Sequence, residues 1–161
     1  INVDKDIPKY DQFGPLKGLE YQKDLERLAF TAGGRTQTAL AQRLVDFVEG
    51  KLSSNLNETS YQPGLNSSPM HSLLPKIIGS RLRKGFDAFG KKMYGYYTNE
   101  ANIVGVESRT SSPINIPRKD NLEHPEIKGL FPCGEGGGYA GGIVSAAMDG
   151  ERCAEAAIEL L

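Results

Sequence analysis

The sequence predicts an α+β fold: a helical segment over 1–98, then a small β unit and a terminal strand and helix over 99–161. Three observations carry this. Apolar residues recur at helical spacing over three stretches of the first ~100 residues, the mark of amphipathic helices. Short β-prone runs follow at Ile103–Glu107 and Ile114–Ile116. The chain then closes with a strand-like run, a glycine-rich stretch and an alanine-rich run. At 161 residues and 39% hydrophobic content, it can form one ordinary domain that buries about 70% of its extended surface.

Residues 1–14 show no periodicity and read as an extended lead-in. Pro15 suits a first helical turn, Leu19, Leu25, Leu28, Ala29 and Ala32 form an apolar stripe, and Gly33-Gly34 supplies a stop. A second helix is expected to start at a Thr38 cap, present Leu40, Leu44, Phe47 and Val48, and end at Gly50, which makes a helical hairpin. Residues 51–69, rich in Ser, Asn and Pro, read as a surface loop. Leu74, Ile78, Leu82, Phe86, Phe89 and Met93 predict a basic amphipathic helix over Met70–Met93, with Gly79, Gly85 and Gly90 marking a break or a close approach. Ile127–Cys133 reads as a buried strand and Gly142–Leu161 as a helix.

Composition excludes several function classes. The net charge of -1 lacks the basic footprint of a nucleic-acid binder. No apolar run reaches the ~18 residues of a membrane span. Cys133 and Cys153 form neither a CxxC motif nor a Cys/His cluster, so no metal site is expected and a reducing cytoplasm fits. Cys133 is expected to be buried and reduced, and His71 and His124, which have no partners at catalytic spacing, to be surface residues. Asn57-Glu-Thr59 and Asn66-Ser-Ser68 match the glycosylation pattern, which arises readily by chance in so Asn- and Ser-rich a loop. A chain that opens at Ile1 without methionine is expected to be a piece of something longer.

The chemistry concentrates at residues 134–142, where six of nine residues are glycine. Glycine lets main-chain N–H groups approach a phosphate or a flat ring, and a following helix adds unpaired N–H groups and partial positive charge. Gly136-Gly-Gly138-Tyr-Ala-Gly141 formally matches GxGxxG. A full dinucleotide fingerprint also needs a second strand ending in an acidic residue about 20 positions on. Only 20 residues follow Gly141, and the helix uses them, so a self-contained Rossmann unit is excluded. Close packing of strand and helix is the lesser alternative for these glycines.

Gly129-Leu-Phe-Pro-Cys-Gly-Glu135 resembles the late motif of two-domain flavoproteins, where a strand ends in Gly-Asp or Gly-Glu. Val106–Arg118 together with Gly129–Gly150 is similar to the C-terminal portion of bacterial FAD-dependent, NAD-utilising dehydrogenases. Gly18-Leu-Glu-Tyr-Gln22 and Ala39–Phe47 resemble that family more loosely. The resemblance implies that the terminal strand and helix complete a FAD-binding sheet. It makes Gly134, Glu135, Gly136, Gly137, Gly138, Tyr139, Ala140, Gly141, Gly142 and Ile143 cofactor-binding. Glu135 would accept from a ribityl hydroxyl or a pyrophosphate-bound water, although such proteins more often carry Asp there. Arg109, Thr110 and Ser111 would meet a substrate or the flavin edge.

On this reading the chain is the C-terminal fragment of a flavin-dependent oxidoreductase. It is inactive and weak in FAD binding by itself, its partner being the missing N-terminal FAD-binding part, with NAD(P)H as a possible reductant. The substrate and the catalytic residues are not given, no nucleic-acid or membrane partner is expected, and a truncated sheet favours self-association. The rival reading is a non-catalytic interaction module with a glycine-rich phosphate-binding loop.

Overall fold

The computed structural model describes residues 3–109 and 111–160. It is a mixed α and β structure that forms two compact units, one of Ile1–Pro8 with Lys23–Ser108 and the other of Lys9–Gln22 with Arg109–Leu161. The elements run α1 (Val3–Asp6), a 3-10 stretch (Pro8–Leu16), α2 (Lys17–Ala32), β1 (Ala39–Arg43), α3 (Leu44–Glu49), β2 (Leu65–Ser67), α4 (Met70–Leu73), α5 (Lys76–Lys92), β3 (Asn102–Gly105) and α6 (Ile143–Ile158).

The first unit is built on a three-stranded sheet of order β2-β1-β3, in which β1 runs parallel to β2 and antiparallel to β3. Its centre, Ala-Leu-Ala-Gln-Arg, lies where a second helix was expected, so the helical hairpin is replaced by a strand that feeds the shorter helix α3. Helix propensity is a weak prior, and pairing on both edges overrides it here: Leu40 lies opposite Asn66 on one side and Gly105 on the other. Thr38 caps no helix, because its hydroxyl donates to Pro63 O, 3.2 Å away. The cap of α3 comes from far along the chain, where Asn99 Oδ1 accepts from Val45 N at 3.0 Å. Gly50 does end that helix, at φ 75° and ψ 34°, in the left-handed region that glycine adopts without strain.

Leu40, Phe47, Met70 and Leu74 form the buried core, with Leu25, Ala29, Ile78, Phe86 and Ile103 packed against it. Phe47 meets Phe86 edge-on, with ring centroids 6.0 Å apart. The expected helix over 70–93 is two helices. Leu74 is extended (ψ 147°) because it precedes Pro75, and α5 begins after the proline. A Cβ at Gly90 would sit 2.7 Å from Tyr97 Cβ, so that glycine marks a close approach, whereas one at the buried Gly79 would meet His71 O at an ordinary 3.5 Å.

The stretch read as a loop, 51–69, contains β2 and is ordered by its own Ser and Asn side chains. Ser53 Oγ accepts from Arg43 N, Ser67 Oγ donates to Ser53 O, and Asn57 Nδ2 donates to Asn99 O. Asn66 Nδ2 donates to Ala32 O, so both asparagines of the glycosylation patterns use their amides inside the fold.

The second unit has α6 as its one long element from residue 109 onward. The strand expected over 114–116 and the buried strand expected over 127–133 are absent. Pro113, Pro117, Pro125 and Pro132 cannot donate to a ladder. Around Ile127 the chain folds back instead. His124 N donates to Leu130 O at 2.7 Å, Glu123 Oε1 accepts from Gly129 N at 2.8 Å, and His124 Nδ1 accepts from Glu126 N and Ile127 N. Ile127 remains 54% exposed, so this is a polar staple on a surface turn.

His124 therefore has partners, and so does His71. Gln42 is fully buried; its Nε2 contacts Lys51 O and lies 2.8 Å from His71 Nδ1, and its Oε1 accepts from His71 N. These contacts leave Nδ1 the acceptor and the ring neutral, and burial, with Arg83 nearby, pushes the His71 pKa down. Cys133 is exposed, whereas Cys153 is the buried thiol, and both are free. No helix among the described residues is long and apolar enough to cross a membrane, and none of their His, Cys, Asp and Glu groupings could hold a metal.

Candidate functional site

The glycine-rich stretch forms a compact loop that enters the N-terminus of α6. Gly134, at φ 64°, turns its N–H onto Asp149 Oδ2 at 2.9 Å. Gly137 N donates to Cys133 O, Gly138 N to Glu135 O, and Tyr139 N back to Gly134 O at 3.0 Å. A second segment lies alongside. Ile116 N donates to Gly137 O, Asn115 Nδ2 to Gly138 O, Ser112 Oγ to Gly136 O, and Tyr139 Oη to Ile116 O at 2.7 Å.

At the centre sits an ion pair that the sequence reading missed. Arg118 donates through both terminal nitrogens to Asp149, at 2.8 and 3.0 Å, and one of them also reaches Pro132 O at 3.0 Å. Its guanidinium lies 3.6 Å from the centre of the Tyr139 ring. Both side chains are about nine-tenths buried. The Arg118 hydrogen bonds and the Gly134 N–H hold the Asp149 carboxyl down to about 2, against the penalty of burial. Burial pushes the neighbouring Cys153 thiol up. The available signal was slight: Asp149 is one of the charged residues of α6 along with Glu151, Arg152 and Glu155, set four positions before Cys153.

Not every glycine here serves the chain's own packing. A Cβ at Gly138 would lie 2.5 Å from Ile114 O, and at Gly137 it would lie 3.0 Å from the Cys133 backbone. At Gly136 and Gly141 it would meet nothing within 4 Å, and neither residue has a positive φ. Gly142 would meet only Ser145 Oγ, at 3.5 Å. Gly136, Gly141 and Gly142 are exposed, and Glu135 beside them is exposed with no partner for its carboxylate among the described residues.

The first-turn amides of α6 have no partner within the helix. Ser145 Oγ accepts from Gly142 N at 3.1 Å and donates to Gly142 O, which fixes how the chain enters. Ile143 and Val144 are 92% and 71% exposed. Bare backbone beside a helix N-terminus fits a flat or phosphate-bearing group.

Of the other expected contacts, Arg109 and Ser111 are exposed and Thr110 lies outside the described residues. The residue that joins their stretch to the glycine loop is Ser112.

The family model for "FAD-dependent protein, C-terminal domain-like" matches residues 1–110, about two-thirds of the chain. The chain belongs to this family. Over 147 residues, 90% of its length, this FAD-dependent C-terminal domain-like chain is 41% identical to a Clostridium beijerinckii protein described as uncharacterized. It spans 28% of that relative's length. The family match covers the first unit and, of the second, Lys9–Gln22 and the start of the stretch from Arg109; the glycine loop and α6 lie beyond it.

Proposed function

We propose that this chain is the C-terminal part of a cytoplasmic FAD-dependent oxidoreductase, and that its glycine loop and the N-terminus of α6 form one wall of the cofactor site. The observation that carries this reading is the division among the glycines. Gly137 and Gly138 are needed by the loop itself, whereas Gly136 and Gly141 keep backbone bare where nothing in the chain requires it. Close packing of the chain on itself accounts for the first pair and not for the second. Family membership supplies the chemical class of the ligand.

In this role Gly136, Gly141 and Gly142 admit the cofactor to the main chain, and Glu135 offers a free carboxylate to a hydroxyl. The amides of Ile143 and Val144 offer donors and the positive end of a helix to the edge of the flavin where negative charge collects. The flavin supplies hydride transfer when bound, with NAD(P)H as the reductant. The remainder of the parent chain grips most of the cofactor.

The test uses the full-length protein. It should purify yellow, and Gly141→Ala and Glu135→Ala should each weaken FAD affinity about tenfold while leaving the melting temperature within about 2 °C. A colourless parent, or unchanged FAD affinity in both variants, removes the loop from the site.

A further inference from the structure

We infer that Arg118 and Asp149 are positioning residues that set the shape of the cofactor loop before the cofactor arrives; this rests on the reading of the loop as a wall of the FAD site. The geometry ties both ends of the loop to one pair. Its start is held by Asp149 Oδ2, which accepts from Gly134 N at 2.9 Å. The carbonyl two residues earlier, Pro132 O, accepts from Arg118 at 3.0 Å. Its end is held through Tyr139, whose ring lies against the Arg118 guanidinium at 3.6 Å and whose hydroxyl donates to Ile116 O.

Between these anchors run Glu135, Gly136, Gly137 and Gly138, and glycine is the residue that loses most freedom when ordered. A loop so rich in glycine would otherwise be ordered at the expense of binding. Asp149 also belongs to α6, so the same carboxylate fixes the loop relative to the helix whose first-turn amides face the ligand.

A buried ion pair is a poor source of net stability, because desolvation offsets most of the attraction and apolar residues of similar size often do as well. What it fixes is geometry: a planar guanidinium bonds a carboxylate through two parallel contacts, which admits few orientations. Arg118 adds a third bond and a ring contact, so its direction is determined on every side.

The experiment separates positioning from stability in the full-length protein. Asp149→Ala and Arg118→Met each leave one buried charge unpaired and should lower both melting temperature and FAD affinity. The double variant Arg118→Met/Asp149→Asn leaves no unpaired charge, and the amide oxygen that replaces the carboxylate can still accept from Gly134 N. Its melting temperature should return close to that of the parent, while its FAD dissociation constant stays at least tenfold higher. At saturating FAD, its visible flavin spectrum should also differ from the parent's. Recovery of FAD affinity together with melting temperature overturns the inference and makes the pair merely structural, as does failure of the melting temperature to recover.

Gly141→Ala, measured alongside, tests the underlying reading independently. If it weakens FAD binding while the double variant binds normally, only the positioning role fails. If neither affects FAD binding, the reading of the loop falls and the inference with it.

Discussion

The two units are held together by different physics. The first buries Leu40, Phe47, Met70 and Leu74 around a sheet whose central strand is paired on both sides. The second has little such core from residue 109 onward: of its apolar side chains there, Cys153 is buried, whereas Ile127, Ile143, Val144, Met148 and Ile158 are more than half exposed. Its order comes from directed bonds, with Ser112, Asn115, Arg118 and Tyr139 each fastening a backbone carbonyl. A region organised this way has a defined shape without having filled its surroundings, which suits a wall that meets a ligand. The first unit, closed around apolar side chains, suits a scaffold.

The contrast predicts different responses to substitution. Phe47→Ala removes the largest fully buried side chain of the first unit and should cost about 3–5 kcal/mol by denaturant titration. A cost below about 1 kcal/mol would show that the core is not closed there. Asp149→Ala should cost about 2–3 kcal/mol, since it strands a buried guanidinium and the Gly134 N–H.

The same carboxylate predicts an acid response. Its folded pKa of about 2 lies below the ordinary 3.8, so its contribution is fully present above that ordinary value and disappears as the pH falls through about 2. The Asp149→Ala variant should lack this acid-dependent loss, which amounts to at most about 2.5 kcal/mol. A parallel pH-stability curve for variant and parent would contradict the ion pair. A smaller effect is expected at Gly50, where φ 75° and the Arg83 side chain 2.6 Å from an added Cβ should make Gly50→Ala cost about 1–2 kcal/mol. No loss there would mean that the chain after α3 takes another path.

What the sequence revealed followed from how local the cause was. Helix α2, helix α6 and the strand at Ile103 were legible because their spacing and breakers lie within the element. The strand Ala39–Arg43 was not, since Ala, Leu and Gln favour a helix and only pairing with residues 65–67 and 102–105 makes them extended. The strand expected at 127–133 failed for the opposite reason: its apolar pattern is real, but Glu123 and His124 capture the backbone groups a ladder would have used. At the site, the run of glycines singled out the loop at 134–142. Which glycines the fold itself requires, and the pairing of Arg118 with Asp149 across 31 positions, became visible only in three dimensions.

The central claim is that some of these glycines serve the chain and others serve the ligand. It is tested most directly by measuring melting temperature and FAD dissociation constant for Gly136→Ala and Gly138→Ala in the full-length protein. Gly138→Ala should lower stability by about 2–3 kcal/mol, because its Cβ strikes Ile114 O and its φ is 83°. Gly136→Ala should leave stability unchanged or raise it by about 0.5 kcal/mol, yet weaken FAD at least tenfold. Normal FAD affinity in Gly136→Ala would contradict the account.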